Sequence, residues 1–157
     1  MSSAITAVPL VNVTQLAKLG AAGNSDNKFD GKGNSDFLDA AVQLAAHKDT
    51  HVIAVGPEEN WRWRLAAEVS QGRIRAYGSQ PSSKLRTFHA AADVYAEGFP
   101  VGSLTAMLEP ALAGVACVRC PQTVPLPFAS DSPSIDFLTR PATLEDFVSQ
   151  IRALLDD

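Results

Sequence analysis

Asp93-Val-Tyr-Ala-Glu97-Gly-Phe-Pro-Val-Gly102-Ser-Leu-Thr-Ala-Met-Leu-Glu109, continued by Pro110-Ala-Leu-Ala-Gly114-Val-Ala-Cys-Val118, carries the pattern of alternating elements most clearly. Asp93–Ala96 is a short β-type run, and Gly98–Ser103 is loop-forming. Leu104, Met107, Leu108, Ala111 and Leu112 then recur at helical spacing and are expected to share one buried stripe. Gly114 suits the left-handed end of that helix. Ala116–Val118 resumes as a strand. Two strands joined through a helix run parallel and form a βαβ unit.

The same alternation extends outward in both directions. Pro9–Thr14 (PLVNVT) is expected as a first strand, and the polar Gly20–Asn34 stretch, with GNSD twice within and just beyond it, as a loop. Phe37, Leu38, Ala41, Val42 and Ala45 fall on one helical face, with Ser35 placed as N-cap and Asp36 near the positive end of the dipole. His51–Val55 follows as a strand, then Trp61–Val69 as a helix, Ile74–Tyr77 as a strand and Lys84–Ala92 as a helix. Beyond the proline-rich Pro121–Pro133 segment, Leu144, Phe147, Val148, Ile151, Leu154 and Leu155 make a closing amphipathic helix. Thr143 and Asp146 are spaced as a capping box at its start. The expectation is one α/β domain over residues 1–157, a doubly wound Rossmann-like parallel sheet flanked by helices.

Composition narrows the function classes. A chain of 157 residues suits a single domain, and such a domain buries roughly 70% of its unfolded surface. Thirteen basic and 17 acidic residues give a net charge of −4 without a basic stripe, so binding to nucleic acid by phosphate neutralisation is disfavoured. No run approaches the ~18 apolar residues of a membrane span. The opening MSSAITAVPLVNV lacks the basic region of a signal peptide, which makes a cytoplasmic location the expectation.

The metal and thiol motifs fail on their chemistry. Cys117 and Cys120 lie on a strand, where residues three apart face opposite ways, and no second cysteine pair completes a zinc site. Asp26–Gly31 echoes a calcium loop but places Lys28 where an oxygen ligand is needed. His47 and His51 straddle a helix end and a strand start, and His89 stands alone. Neither a nucleophile elbow nor a P-loop is present. No metal and no bound cofactor is expected.

The Asp93–Glu109 unit keeps one chemical possibility. Gly102 and Ser103 precede the helical stripe, so free N–H groups at the helix start suit a phosphate. Thr105 and Glu109 lie one turn apart beside the stripe, and the Glu109 carboxylate can accept hydrogen bonds from ribose hydroxyls. Ligands of open parallel sheets bind at the carboxyl ends of the strands, where this loop lies. The residues suit equally well a plain Ser103 N-cap and a solvated Glu109.

Those residues resemble the nucleotide-sugar site of glycosyltransferases with the GT-B architecture, especially the group 1 family. Asp93-Val-Tyr, Gly98-Phe-Pro-Val-Gly-Ser-Leu-Thr105, Leu108-Glu109-Pro110 and Ala113-Gly114-Val115 follow the order of its C-terminal domain. Phe99-Pro100-x-Gly102-Ser103-Leu104-Thr105 is similar also to the branch that includes protein O-linked N-acetylglucosamine transferases. Upstream, Lys32-Gly33, Phe37–Ala41 and His51–Gly56 match the same domain, so the resemblance spans Pro9 to Val118.

The resemblance implies a donor-binding domain that works with an N-terminal acceptor domain or a partner chain, the donor being a nucleotide-diphosphate sugar. Lys32 would face the diphosphate, and the backbone of Gly102, Ser103 and Leu104, with Thr105, would hold the phosphates. Glu109 would hold the ribose, and Gly78 would open the loop near the base. The family's first Glu falls at Val101, so Glu97 is the carboxylate expected to attend the donor sugar. The basic residue that usually follows the first strand has no counterpart at Thr14-Gln15, and Pro110 stands where the family has Ala. The competing expectations are a non-catalytic nucleotide-sugar-binding or interaction module and a doubly wound domain for another ligand.

Overall fold

A computed structural model describes residues 10–14, 37–99, 104–121 and 140–157, with the main chain alone at 10–14 and 104–105. Among these residues the strands are β1 (Leu10–Thr14), β2 (His51–Val55), β3 (Ile74–Ala76), β4 (Val94–Ala96) and β5 (Ala116–Val118). The helices are α1 (Phe37–Ala45), α2 (Trp61–Val69), α3 (Ser82–Ala91), α4 (Leu104–Leu112) and α5 (Leu144–Asp156). The strands form one sheet in the order β3-β2-β1-β4-β5, and every neighbouring pair is parallel. The expected doubly wound α/β class is therefore the observed one.

Helices α1, α2 and α5 cover one face. α1 lies against β2 and β3, α2 against β3, and α5 against α1, β4 and β5. Phe37, Leu44, Val52, Ile74, Phe147 and Ile151 are fully buried in this layer. Phe37, Phe99 and Phe147 meet edge to face, with the closest centroids, Phe99 and Phe147, 5.3 Å apart. Such T-shaped contacts each add about 0.5–1.5 kcal/mol beyond the buried area. Phe99, the last described residue after β4, is thereby held in the core. Helices α3 and α4 cover the other face, with α3 against β1 and α4 against β5.

The helix ends follow their sequence signals. Asn60 Oδ1 accepts from the N–H groups of Arg62 and Trp63 and caps α2. Thr143 and Asp146 form the reciprocal capping box of α5, and Gly114 closes α4 at φ +83°. Helix α3 starts two residues before the expected Lys84, because the Pro81 carbonyl already accepts from Lys84 and Leu85. The fixed φ of Pro81, −67°, leads the chain directly into that first turn.

Two expected stripes are corrected. On α4 the buried residues are Ala106, Met107 and Pro110, whereas Leu108, Ala111 and Leu112 are exposed, Leu112 at 88%. The buried Pro110 faces inward where Leu108 and Ala111 were expected, which turns the leucines out. On α1, Ala40 and Leu44 join the buried face and Val42 leaves it.

Candidate functional site

β1 lies between β2 and β4, so the strand order reverses there, and the carboxyl ends of β1 and β4 flank the crevice where parallel sheets bind ligands. Glu97 is the residue that follows β4 at this edge. Its N–H donates to the Val118 carbonyl (2.9 Å), which extends the β4–β5 ladder by one step. The side chain is 3% exposed, and Oε2 accepts a 3.1 Å hydrogen bond from the Cys120 N–H. The carboxylate thus ties together the ends of β4 and β5.

Beyond β5 the alternation continues. Val118 and Cys120 belong to the α1–α2–α5 core, so Arg119 between them leaves the sheet on the α3–α4 side. Cys117, two residues earlier on that side, directs its thiol at the Met107 carbonyl of α4 (3.9 Å) and at Val115 (3.3 Å). Arg119 is 5% exposed, and its Nε is buried without a hydrogen-bond partner. Burial raises the Cys117 thiol to about 11. Cys120 rises to about 12 through burial and then the Glu97 carboxylate, with Arg119 opposing. Neither thiol is a nucleophile at neutral pH.

Across the sheet, Gly78 follows β3 with φ +60° and is buried. Its N–H donates to the Pro57 carbonyl (3.0 Å), and its own carbonyl accepts from Gly56 (2.8 Å), which binds the turns after β2 and β3 together. A Cβ at Gly78 would stand 3.2 Å from a carboxylate oxygen of Glu58. The left-handed conformation and this close approach both call for glycine.

Glu109 lines a groove of about 620 Å³ between α3 and α4, with Ser82, Arg86, His89, Ala90, Leu112 and Ala113. The mouth is apolar apart from a few convergent polar groups, the usual character of a small-molecule site. His89 is buried and stands edge-on to Tyr95 of β4, with centroids 6.2 Å apart. Burial lowers its pKa, and the Glu109 carboxylate raises it in part. Glu109 itself is exposed, so its oxygens are open to a ligand lying in the groove.

The expected site residues are thus distributed unevenly. Glu97 and Gly78 lie at the carboxyl edge of the sheet, and Glu109 lies in the α3–α4 groove. The main chain of Leu104 and Thr105 opens α4. Lys32, Gly102 and Ser103 fall outside the described residues, as does the calcium-like Asp26–Gly31 stretch. Sequence reasoning passed over Arg119, His89, Arg86 and Ser82 as site residues. The available signal for Arg119 was a lone basic residue directly after an apolar strand. Trp61 is 67% exposed and Trp63 is buried. Among the described residues, no helix is long and apolar enough to cross a membrane.

No protein-family model matches the sequence, and no curated protein matches it. Solved structures do match the fold. An O-GlcNAc transferase of Thermobaculum terrenum superposes with a TM-score of 0.65 at 16% identity, over 97% of this chain and 29% of that one. WaaG, a glycosyltransferase involved in lipopolysaccharide biosynthesis, gives 0.62 at 15% identity over 96% and 39%. The glycosyltransferase GlyE of Streptococcus pneumoniae TIGR4 gives 0.57 at 14% identity over 97% and 34%. The chain therefore has the Rossmann-like fold of GT-B glycosyltransferases, consistent with their C-terminal domain, and spans well under half of each of these proteins.

Proposed function

We propose that this chain is the donor-side domain of a glycosyltransferase, holding a nucleotide-diphosphate sugar while an acceptor is presented by an N-terminal domain or a partner chain. The observation that carries the reading is the Glu109 carboxylate, exposed in the α3–α4 groove of a domain with the GT-B fold. A ribose in that groove would donate its hydroxyls to Glu109. Its base would extend toward Gly78, and its phosphates toward the start of α4, where N–H groups and the helix dipole favour negative charge. Lys32 would add a cation to the departing diphosphate, and Glu97 is the carboxylate assigned to the donor sugar. A cytoplasmic setting belongs to the same proposal.

Transfer needs the acceptor half, so the first test is binding. Thermal unfolding is followed with UDP, GDP, ADP and their sugars at millimolar concentration. A ligand at ~100 times its Kd adds about 2.7 kcal/mol and raises Tm by several degrees. A response to one base is expected. Glu109→Gln should then weaken binding by about 1–3 kcal/mol while leaving the unliganded Tm in place. A flat response to every nucleotide favours the second reading, a non-catalytic module, to which the exposed Leu108 and Leu112 beside the groove lend support.

A further inference from the structure

Helix α2 turns an apolar row to solvent. Trp63 and Ala66 carry its buried side. Trp61, Leu65 and Val69 follow one another at four-residue spacing along the opposite side and are 67%, 52% and 62% exposed. Single apolar residues at a surface need no explanation. Three in one row, one of them a tryptophan, make a contiguous patch of the kind that marks an interaction surface. A row of this spacing is the ridge that interlocks with its like on another helix, at a crossing of about −50°.

The charges beside the row select the partner. Arg64 and Glu68 are exposed and, one turn apart, border the row on the same flank, while Arg62 borders the other. Parallel pairing with an identical helix would bring Arg64 beside Arg62 of the second copy, like against like. Antiparallel pairing about a two-fold axis at Leu65 packs Leu65 on its own copy and Trp61 on Val69 of the second. Arg64 stands just before that axis and Glu68 one turn beyond Arg64, so each Arg64 meets the other copy's Glu68. Glu58 and Glu59 precede α2 and Arg75 follows it, all exposed. The acidic end of one copy therefore also lies toward the basic end of the other. We propose that α2 is an isologous interface at which two copies of this chain pair antiparallel. A single helix seam falls short of the roughly 1,000 Å² of a lasting interface, so the pair is reversible and depends on concentration. α2 covers the face of the sheet opposite α3 and α4, which leaves the groove of each copy open.

The test is sedimentation of the whole chain from micromolar to millimolar concentration, where a monomer–dimer equilibrium is expected. Leu65→Glu should raise the dimer Kd about tenfold or more. It should leave the Tm of the dilute protein in place, because Leu65 is half-exposed in the single chain. Arg64→Glu and Glu68→Arg should each weaken pairing about threefold by setting like charges along the flank. Mixed in equal amounts, these two variants should pair with each other more tightly than either pairs with itself. A chain that stays monomeric at millimolar concentration overturns the proposal and assigns the α2 row to a different protein or domain. A dimer that ignores Leu65→Glu overturns it too, since the contact then lies elsewhere. A dimer weakened by Leu65→Glu whose two charge variants show no preference for each other overturns the antiparallel arrangement. Should Leu65→Glu fail to fold, mixing of the charge variants decides, because both positions are exposed. The interface stands or falls separately from the donor reading.

Discussion

On the α1–α2–α5 side of the sheet, three phenylalanines interlock within an apolar cluster, and the buried polar residues Thr50 and Ser70 stand at its rim with their hydroxyls bonded to main-chain carbonyls. On the α3–α4 side stand a buried histidine, two buried charges and a groove of about 620 Å³. The first layer spends its residues on exclusion of water, and the second keeps polar groups that packing alone does not require. One sheet therefore separates a layer that holds the fold from a layer that offers chemistry, and variants on the two sides should fail in different ways.

Phe147→Ala strikes the first layer where Phe37 and Phe99 both touch it, and it should cost about 3–5 kcal/mol by denaturant unfolding. A loss under about 1 kcal/mol would break the contrast, because the aromatic cluster would then be replaceable. Gly78→Ala strikes neither layer but the carboxyl edge of the sheet, where the turns after β2 and β3 meet. A left-handed alanine costs about 1–2 kcal/mol, and Glu58 must also move aside. Denaturation should show that smaller loss, and a neutral outcome would mean that the turn after β3 is free to rearrange.

Acid should separate the two sides by pH. His89 has its pKa lowered in the folded chain. The unfolded imidazole takes its proton first, at about pH 6.5, and stability falls as pH drops below that value. Asp156 of α5 accepts hydrogen bonds from His47 and Lys48 beyond α1, which lower its pKa. Its contribution is present above the ordinary carboxylate value of about 3.9 and is lost as pH falls further. Unfolding measured between about pH 8 and about pH 3 should show an upper step that His89→Gln removes and a weaker lower step that Asp156→Asn reduces. The exposed Asp156 pair makes the lower effect the smallest of the set.

The strands and helices were legible because apolar spacing, Asn60, Thr143, Asp146 and Gly114 are local signals that tertiary contacts reinforce. The facing of α4 was not, since Leu108 and Leu112 have the composition of a core while Pro110 takes their place inside. Gly78 was named from the resemblance and Glu109 first from its place on the helix after β4, and the structure adds the turn contacts of the one and the groove lined by the other. Arg119 could not be read in advance. Its distinction is burial at the end of β5, and a sequence shows which residues are charged but not which of them lose their water.

The strand order has a consequence for how the chain is made. β1 is formed early and pairs with β2 nearby, yet its other edge is met by β4, with Val11 against Val94. Until Val94 emerges from synthesis, the central strand of the finished sheet is an outer one, with its N–H and C=O groups available to any passing strand. The slow event in folding should be the closing of this long loop, not the winding of any helix. A fragment that stops short of β4 would present the same open edge permanently and is the form of this protein most apt to aggregate.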